Sequence, residues 1–170
     1  MSEPTAKQIM ALLGLQPLAR EGGFFTETYR SPERLPEGVT DSTQGAGRSL
    51  ATAIYYLLTP ETFSAMHRLP WDEIYHFYGG DPVELLQLSP DGSGKVSLIG
   101  GDLLAGMQPQ MVVPRGTWQG SRLRRGGRYA LMGTTMAPGF DPSDCEFGDR
   151  RTLLARYPAL RTAILALTPA

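Results

Sequence analysis

Between residues 50 and 137 the chain reads as one short apolar segment after another, and this restricts the fold more than any other feature. The segments are LATAIYYLLT, TFSAMHRL, DEIYHFY, PVELLQLS, KVSLIGG, QMVVP, TWQGSRL and RYALMGTTMAP. Turns rich in glycine and proline separate them, PDGSG being the clearest. About eight closely spaced strands without alternating helices predict an all-β sandwich or barrel, not a parallel βαβ sheet.

The flanks read differently. Ile9, Leu12 and Leu13 share one helical face, Thr5 and Gln8 have capping-box spacing, and Gly14 can end the helix. EGGFFTETYRS reads as a strand in which Phe25, Glu27 and Tyr29 alternate with Phe24, Thr26 and Thr28. Residues 31–49 are polar and rich in Pro, Gly and Ser, and read as a long mobile loop within one domain. At the end, Leu153, Leu154 and Tyr157 form one helical face. Leu160, Ala163, Ile164 and Leu167 form another after Pro158. The expected layout is a single domain, 1–170: an N-terminal helix within 1–20, a β-barrel over 24–137 and a helical segment over 138–170.

Composition excludes several classes of partner. Sixteen basic against seventeen acidic side chains leave a net charge of −1, so no nucleic-acid partner is expected. The basic run RLRRGGR reads as a solvated hairpin turn. No apolar run is long enough to span a bilayer, and the N-terminus lacks the pattern of a signal peptide. A single cysteine, Cys145, excludes an internal disulfide and fits a cytoplasmic location. That cysteine has no histidine near it in sequence and reads as a small apolar residue rather than a nucleophile.

The chemistry concentrates in MHRLPWDEIYHFYGG, residues 66–80, which holds both histidines. His67 and Glu73 can converge from two strands joined by the turn at LPWD. If Glu73 points inward, alternation places Tyr75 and Phe77 on the same face and turns His76 outward. A second stretch, GMQPQMVVPRGTWQG, supplies a Pro114–Gly116 turn followed by Trp118 and Gln119. Two readings follow from the residues. His67 beside Glu73, with Tyr75 as a phenolic donor, is a proton-transfer constellation. His67, Glu73 and Gln119 would hold only a loosely bound divalent metal, short of the three strong ligands usual for a catalytic zinc.

These two stretches resemble the paired motifs of the cupin superfamily. His67, Glu73 and Gly80 match the first motif, with Leu69 in place of its second histidine. Gly106, Pro114 and Gly116 match the second, with Gln119 in place of its histidine. The resemblance is closer to the "cupin five" family of unknown function. It runs nearly end to end through EGGFFTETYRS, IYYLL, SAMHRLPWDEIYHFYGGDP, VVPRGTWQGSRL and APGFDPSDCEFGDRRTLLARYP. It implies a cupin-type double-stranded β-helix, an RmlC-like jelly roll that commonly forms homodimers and has a pocket like that of deoxysugar-nucleotide epimerases. The leading expectation is small-molecule binding in the barrel with isomerase or epimerase chemistry on a sugar-like ligand. His67 would be the base, Glu73 its orienting partner and Tyr75 the acid. Glu27, Tyr29, Phe77, Trp118 and Gln119 are the expected ligand contacts. The alternatives are a metal-dependent dioxygenase or lyase, and a binding protein without catalysis.

Overall fold

A computed structural model describes residues 3–36 and 47–169. Helix α1 (Ala6–Leu13) opens the chain. The strands are β1 (Gln16–Pro17), β2 (Phe24–Arg30), β3 (Thr52–Leu58), β4 (Phe63–Arg68), β5 (Glu73–Gly80) and β6 (Val83–Leu88). They continue as β7 (Gly94–Ile99), β8 (Gln110–Val113), β9 (Trp118–Leu123), β10 (Ala130–Met136) and β11 (Glu146–Phe147). Helices α2 (Arg150–Arg156) and α3 (Arg161–Ala166) close the chain. Two antiparallel sheets face each other, in the orders β1-β2-β3-β10-β5-β8 and β11-β4-β9-β6-β7. The jelly-roll expectation holds, and each expected strand of residues 50–137 is present. The two-residue strands β1 and β11 are additional; runs that short carry no periodicity to read.

The flanking helices cover part of each outer face. Thr5 and Gln8 form the expected capping box, and Gly14 ends α1 at φ 64°. Ile9 and Leu15 pack on Leu57 and Tyr129, covering the outer side of β3. Leu12, expected on the same apolar face, is instead exposed, because α1 touches the sheet along a narrower stripe. Leu153, Tyr157, Ile164 and Leu167 cover Met66, Leu86 and Leu88 on the outer side of the second sheet. The base of the 31–49 segment is a short ladder, with Arg34 bridged to Ser49. The rest of the expected mobile loop lies outside the described residues. The RLRRGGR run does form the β9–β10 turn, where Arg128 is tied to Asp81 and Glu3.

The barrel interior follows from strand alternation and cross-strand register. Thr134 of β10 lies opposite Tyr75 and Ile54, and Met132 lies opposite Phe77 and Tyr56. In the facing sheet Gln119 of β9 lies opposite Gln87 and His67, and Leu123 lies opposite Val83. One end of the interior is closed by Leu58, Val83, Leu85, Ile99, Ala130 and Met132, none more than 1 % exposed.

Candidate functional site

At the other end lies a narrow cavity with about 60 Å³ of space for water-sized molecules, open to solvent at its mouth. His67, Glu73 and Tyr75 all line it, and they are 2 %, 8 % and 1 % exposed.

A bulge in β4 delivers His67. Ser64 pairs with Ser121 and His67 with Gln119, so Ala65 and Met66 together oppose the single residue Gly120. A side chain would be tight there: a Cβ on Gly120 would lie 2.8 Å from the Met66 sulfur and 3.0 Å from the Ser64 carbonyl oxygen. The extra residue lets Met66 point outward under the C-terminal helices while His67 points in. It also turns the Ala65 carbonyl towards the imidazole, 2.8 Å from Nδ1. A carbonyl oxygen can only accept, so Nδ1 carries the proton and the neutral ring has a bare Nε2. Among the described residues Nε2 has no hydrogen-bond partner. Phe147, paired with His67 across β4 and β11, packs beside the ring at 6.3 Å.

Glu73 starts β5. Gln119 donates from Nε2 to its carboxylate at 2.7 Å, and Thr134 lines the cavity beside it. Burial pushes the Glu73 carboxyl above its ordinary range; a charge on His67 pulls it down and Glu21 pushes it further up. Burial, with the neighbouring Glu73 and Glu21, also holds the Tyr75 phenol well above its usual value. Tyr75 is therefore a neutral hydrogen-bond donor and a weak acid.

Glu21 also lines the cavity, a residue that sequence reasoning missed. It precedes two glycines in a tight turn. A Cβ on Gly22 would lie 2.2 Å from the Phe63 carbonyl oxygen, so the turn packs backbone to backbone against β4. The Ala65 amide donates to the Glu21 carbonyl at 2.7 Å, and the Ser64 hydroxyl donates to its side chain at 2.9 Å. An acid beside Gly-Gly is the one signal in the sequence, and it is a weak one. Tyr56, also missed, lines the cavity and donates from its hydroxyl to the Gly22 carbonyl at 2.9 Å.

The remaining expected contacts divide. Glu27 lines the cavity at its mouth, where Arg30 pairs with it at 2.6 Å. Tyr29 does not reach it. A bulge at Thr28 sets Glu27 opposite Ile54 but Tyr29 opposite Ala53, so Tyr29 turns to the outer face and is 52 % exposed. Phe77 faces inward but packs against the apolar end. Trp118 lies on the outer face of β9, beneath the C-terminal helices and the Arg68 guanidinium. Gln119 faces inward and acts through Glu73. His76 lies on the outer face, hydrogen-bonded to Thr135 and stacked with Tyr78. Cys145 is half-buried and its thiol is pushed up to about 12 by burial, which keeps it protonated and non-nucleophilic.

The donor set does not suit a metal ion. Gln119 presents its amide N–H to Glu73, which leaves its oxygen turned away. Leu69 lines the cavity where another ligand would be needed. Among the described residues no three His, Cys, Asp or Glu side chains converge.

Comparison with known proteins fits this geometry. A family model described as "Cupin superfamily (DUF985)" matches residues 7–148. The uncharacterised protein YML079W of Saccharomyces cerevisiae is 33 % identical over 136 residues, covering 75 % of this chain and 68 % of its own. Protein SO0799 from Shewanella oneidensis superimposes with a TM-score of 0.86 at 32 % identity, over 98 % of this chain and 99 % of that one. A hypothetical protein from Leishmania major gives 0.87 at 30 % identity, over 98 % and 100 %.

Proposed function

This chain belongs to the DUF985 family of the cupin superfamily, and within that family we propose that its barrel binds a small organic molecule and transfers a proton at carbon, as an isomerase or epimerase does. The observation that carries this reading is the bare Nε2 of His67, fixed by the Ala65 carbonyl and lining an enclosed cavity. A histidine with its proton held on Nδ1 is ready to accept one on Nε2. The Ala65 carbonyl, rather than Glu73 as expected, orients the ring; Glu73, held by Gln119, acts on the imidazolium that forms through its charge. The Tyr75 hydroxyl makes no hydrogen bond among the described residues. It can donate to the oxygen on which charge develops, adjacent to the carbon that loses the proton. The ligand carries no diphosphate, because among the described residues no lysine or arginine lines the cavity to neutralise one.

The experiment is mass spectrometry of small molecules released from freshly purified protein, followed by incubation of the compound found in deuterium oxide. Wild-type protein is expected to exchange one carbon-bound proton and the His67→Ala protein none. A compound that binds yet never exchanges makes the protein a binder without catalysis.

A homodimer is the second part of the proposal. Tyr29, Tyr78 and Val112, each about half exposed, share the outer face of the six-stranded sheet. Three large apolar side chains on one open sheet face suit a second copy of the chain. Light scattering after size exclusion should give twice 18.5 kDa; a monomer at micromolar concentration contradicts it.

No helix among the described residues is long and apolar enough to cross a membrane.

A further inference from the structure

The cavity holds an imbalance of charge that proton transfer does not require. Glu21, Glu27 and Glu73 line it, and no lysine or arginine does. Arg30 answers Glu27 at the mouth. Glu21 and Glu73 have hydrogen bonds, from the Ser64 hydroxyl and the Gln119 amide, but no ion pair among the described residues. The chain outside those residues (1, 2, 37–46 and 170) contains no lysine or arginine that could supply one. His67 can answer Glu73 with a charge of its own, but a second acid in the same largely enclosed space is costly without a further counter-charge.

The walls around these acids are aromatic. Phe25, Tyr56, Tyr75 and Phe140 line the same cavity, and the faces of such rings attract cations. Two polar atoms on side chains more than nine-tenths buried have no partner among the described residues: His67 Nε2 and the Tyr75 hydroxyl. They mark a place built for a ligand rather than for packing.

We propose that the ligand of the barrel is a small organic cation, an apolar body bearing a protonated or methylated amine whose nitrogen sits between Glu21 and Glu73. This rests on the reading of the cavity as a ligand site, and it names the class of molecule. The cation supplies the charge that His67 alone cannot give to two acids, and its apolar part meets the rings of Phe25 and Phe140. A positive nitrogen beside a carbonyl group also acidifies the C–H bond between them, which suits a histidine base. The same acids exclude phosphorylated and carboxylate ligands of equal size.

Three probes of matched shape test it: n-butylammonium chloride, 1-butanol and sodium butyrate. Each is titrated at constant ionic strength into the full-length protein, followed by the ring signals of His67 and Tyr75 in NMR spectra. The ammonium is expected to saturate both signals about tenfold more tightly than butanol, and butyrate more weakly than either. Glu21→Gln keeps an acceptor for Ser64 and should weaken the ammonium about tenfold while leaving butanol unchanged. Butanol or butyrate binding as tightly as the ammonium overturns the proposal, as does an ammonium affinity indifferent to Glu21→Gln. If butanol saturates His67 and the ammonium gains nothing over it, the cavity remains a ligand site and only the cation is wrong. If no probe moves the His67 signals, both readings fail.

Discussion

The two ends of the barrel interior are built on the same strands yet follow opposite rules. Along β9 the inward residues run Gln119, Ser121, Leu123; along β6 they run Gln87, Leu85, Val83; along β10 they run Thr134, Met132, Ala130. Each strand passes from polar to apolar in the same spatial direction. The apolar end is what any barrel needs, because buried aliphatic side chains stabilise it with no polar group to satisfy. The polar end works against stability. The Gln87 and Gln119 side-chain oxygens and the Ser121 hydroxyl are buried without partners among the described residues, and Glu73 is an acid in an enclosed space. Aliphatic side chains at these positions would satisfy the fold more cheaply, so the polar set points to work done at that end.

Substitutions at the two ends should therefore separate function from stability. The largest effect is expected for His67→Ala. Once the released compound is in hand, exchange of its carbon-bound proton should slow by about 10²–10⁴-fold, while thermal melting shows the fold intact. Leu85→Ala at the closed end should do the reverse. Denaturant unfolding should show a loss of about 2–5 kcal/mol, with ligand binding retained in the folded fraction. Glu73→Gln sharpens the contrast through pH. Because burial raises the folded-state pKa of Glu73, the folded protein holds that proton more tightly than the unfolded chain. The contribution of Glu73 to stability is thus complete below its unfolded pKa and is lost as pH rises through the folded value. Removing the charge should raise the melting temperature at pH 7, with the gap closing as the pH falls towards 4. Ser121→Ala deletes a partnerless hydroxyl and should leave stability within about 0.5 kcal/mol of wild type. A loss of several kcal/mol there would mean that the polar end is structural after all.

Much of this contrast can be read in the sequence, and the exceptions have physical causes. Period-two alternation correctly brings Glu73 and Tyr75 to one face and turns His76 to the other. The capping box and the turn at PDGSG are local, and both form as their residues dictate. Alternation misleads at bulges, where one extra residue inverts the faces. Thr28 sends Tyr29 outward, and the β4 bulge at Ala65–Met66 brings Ser64 and His67 to the inside together. Trp118 has a ring that could stack on a ring-shaped ligand, but a tryptophan beside such a turn more often packs in a core; here the C-terminal helices, which need an apolar floor, decide its face. Glu21 escaped notice because its place depends on a long-range contact between its turn and β4, which leaves no periodicity in its own segment.

The central claim is that the open end of the barrel presents a bare imidazole nitrogen to its cavity, and the ¹⁵N spectrum of the His67 ring tests it most directly. The account predicts a proton on Nδ1, with the Nε2 resonance in the range of a ring nitrogen that carries no proton and moving when the cavity is filled. A ring protonated on Nε2, or an Nε2 signal that no ligand moves, would contradict it.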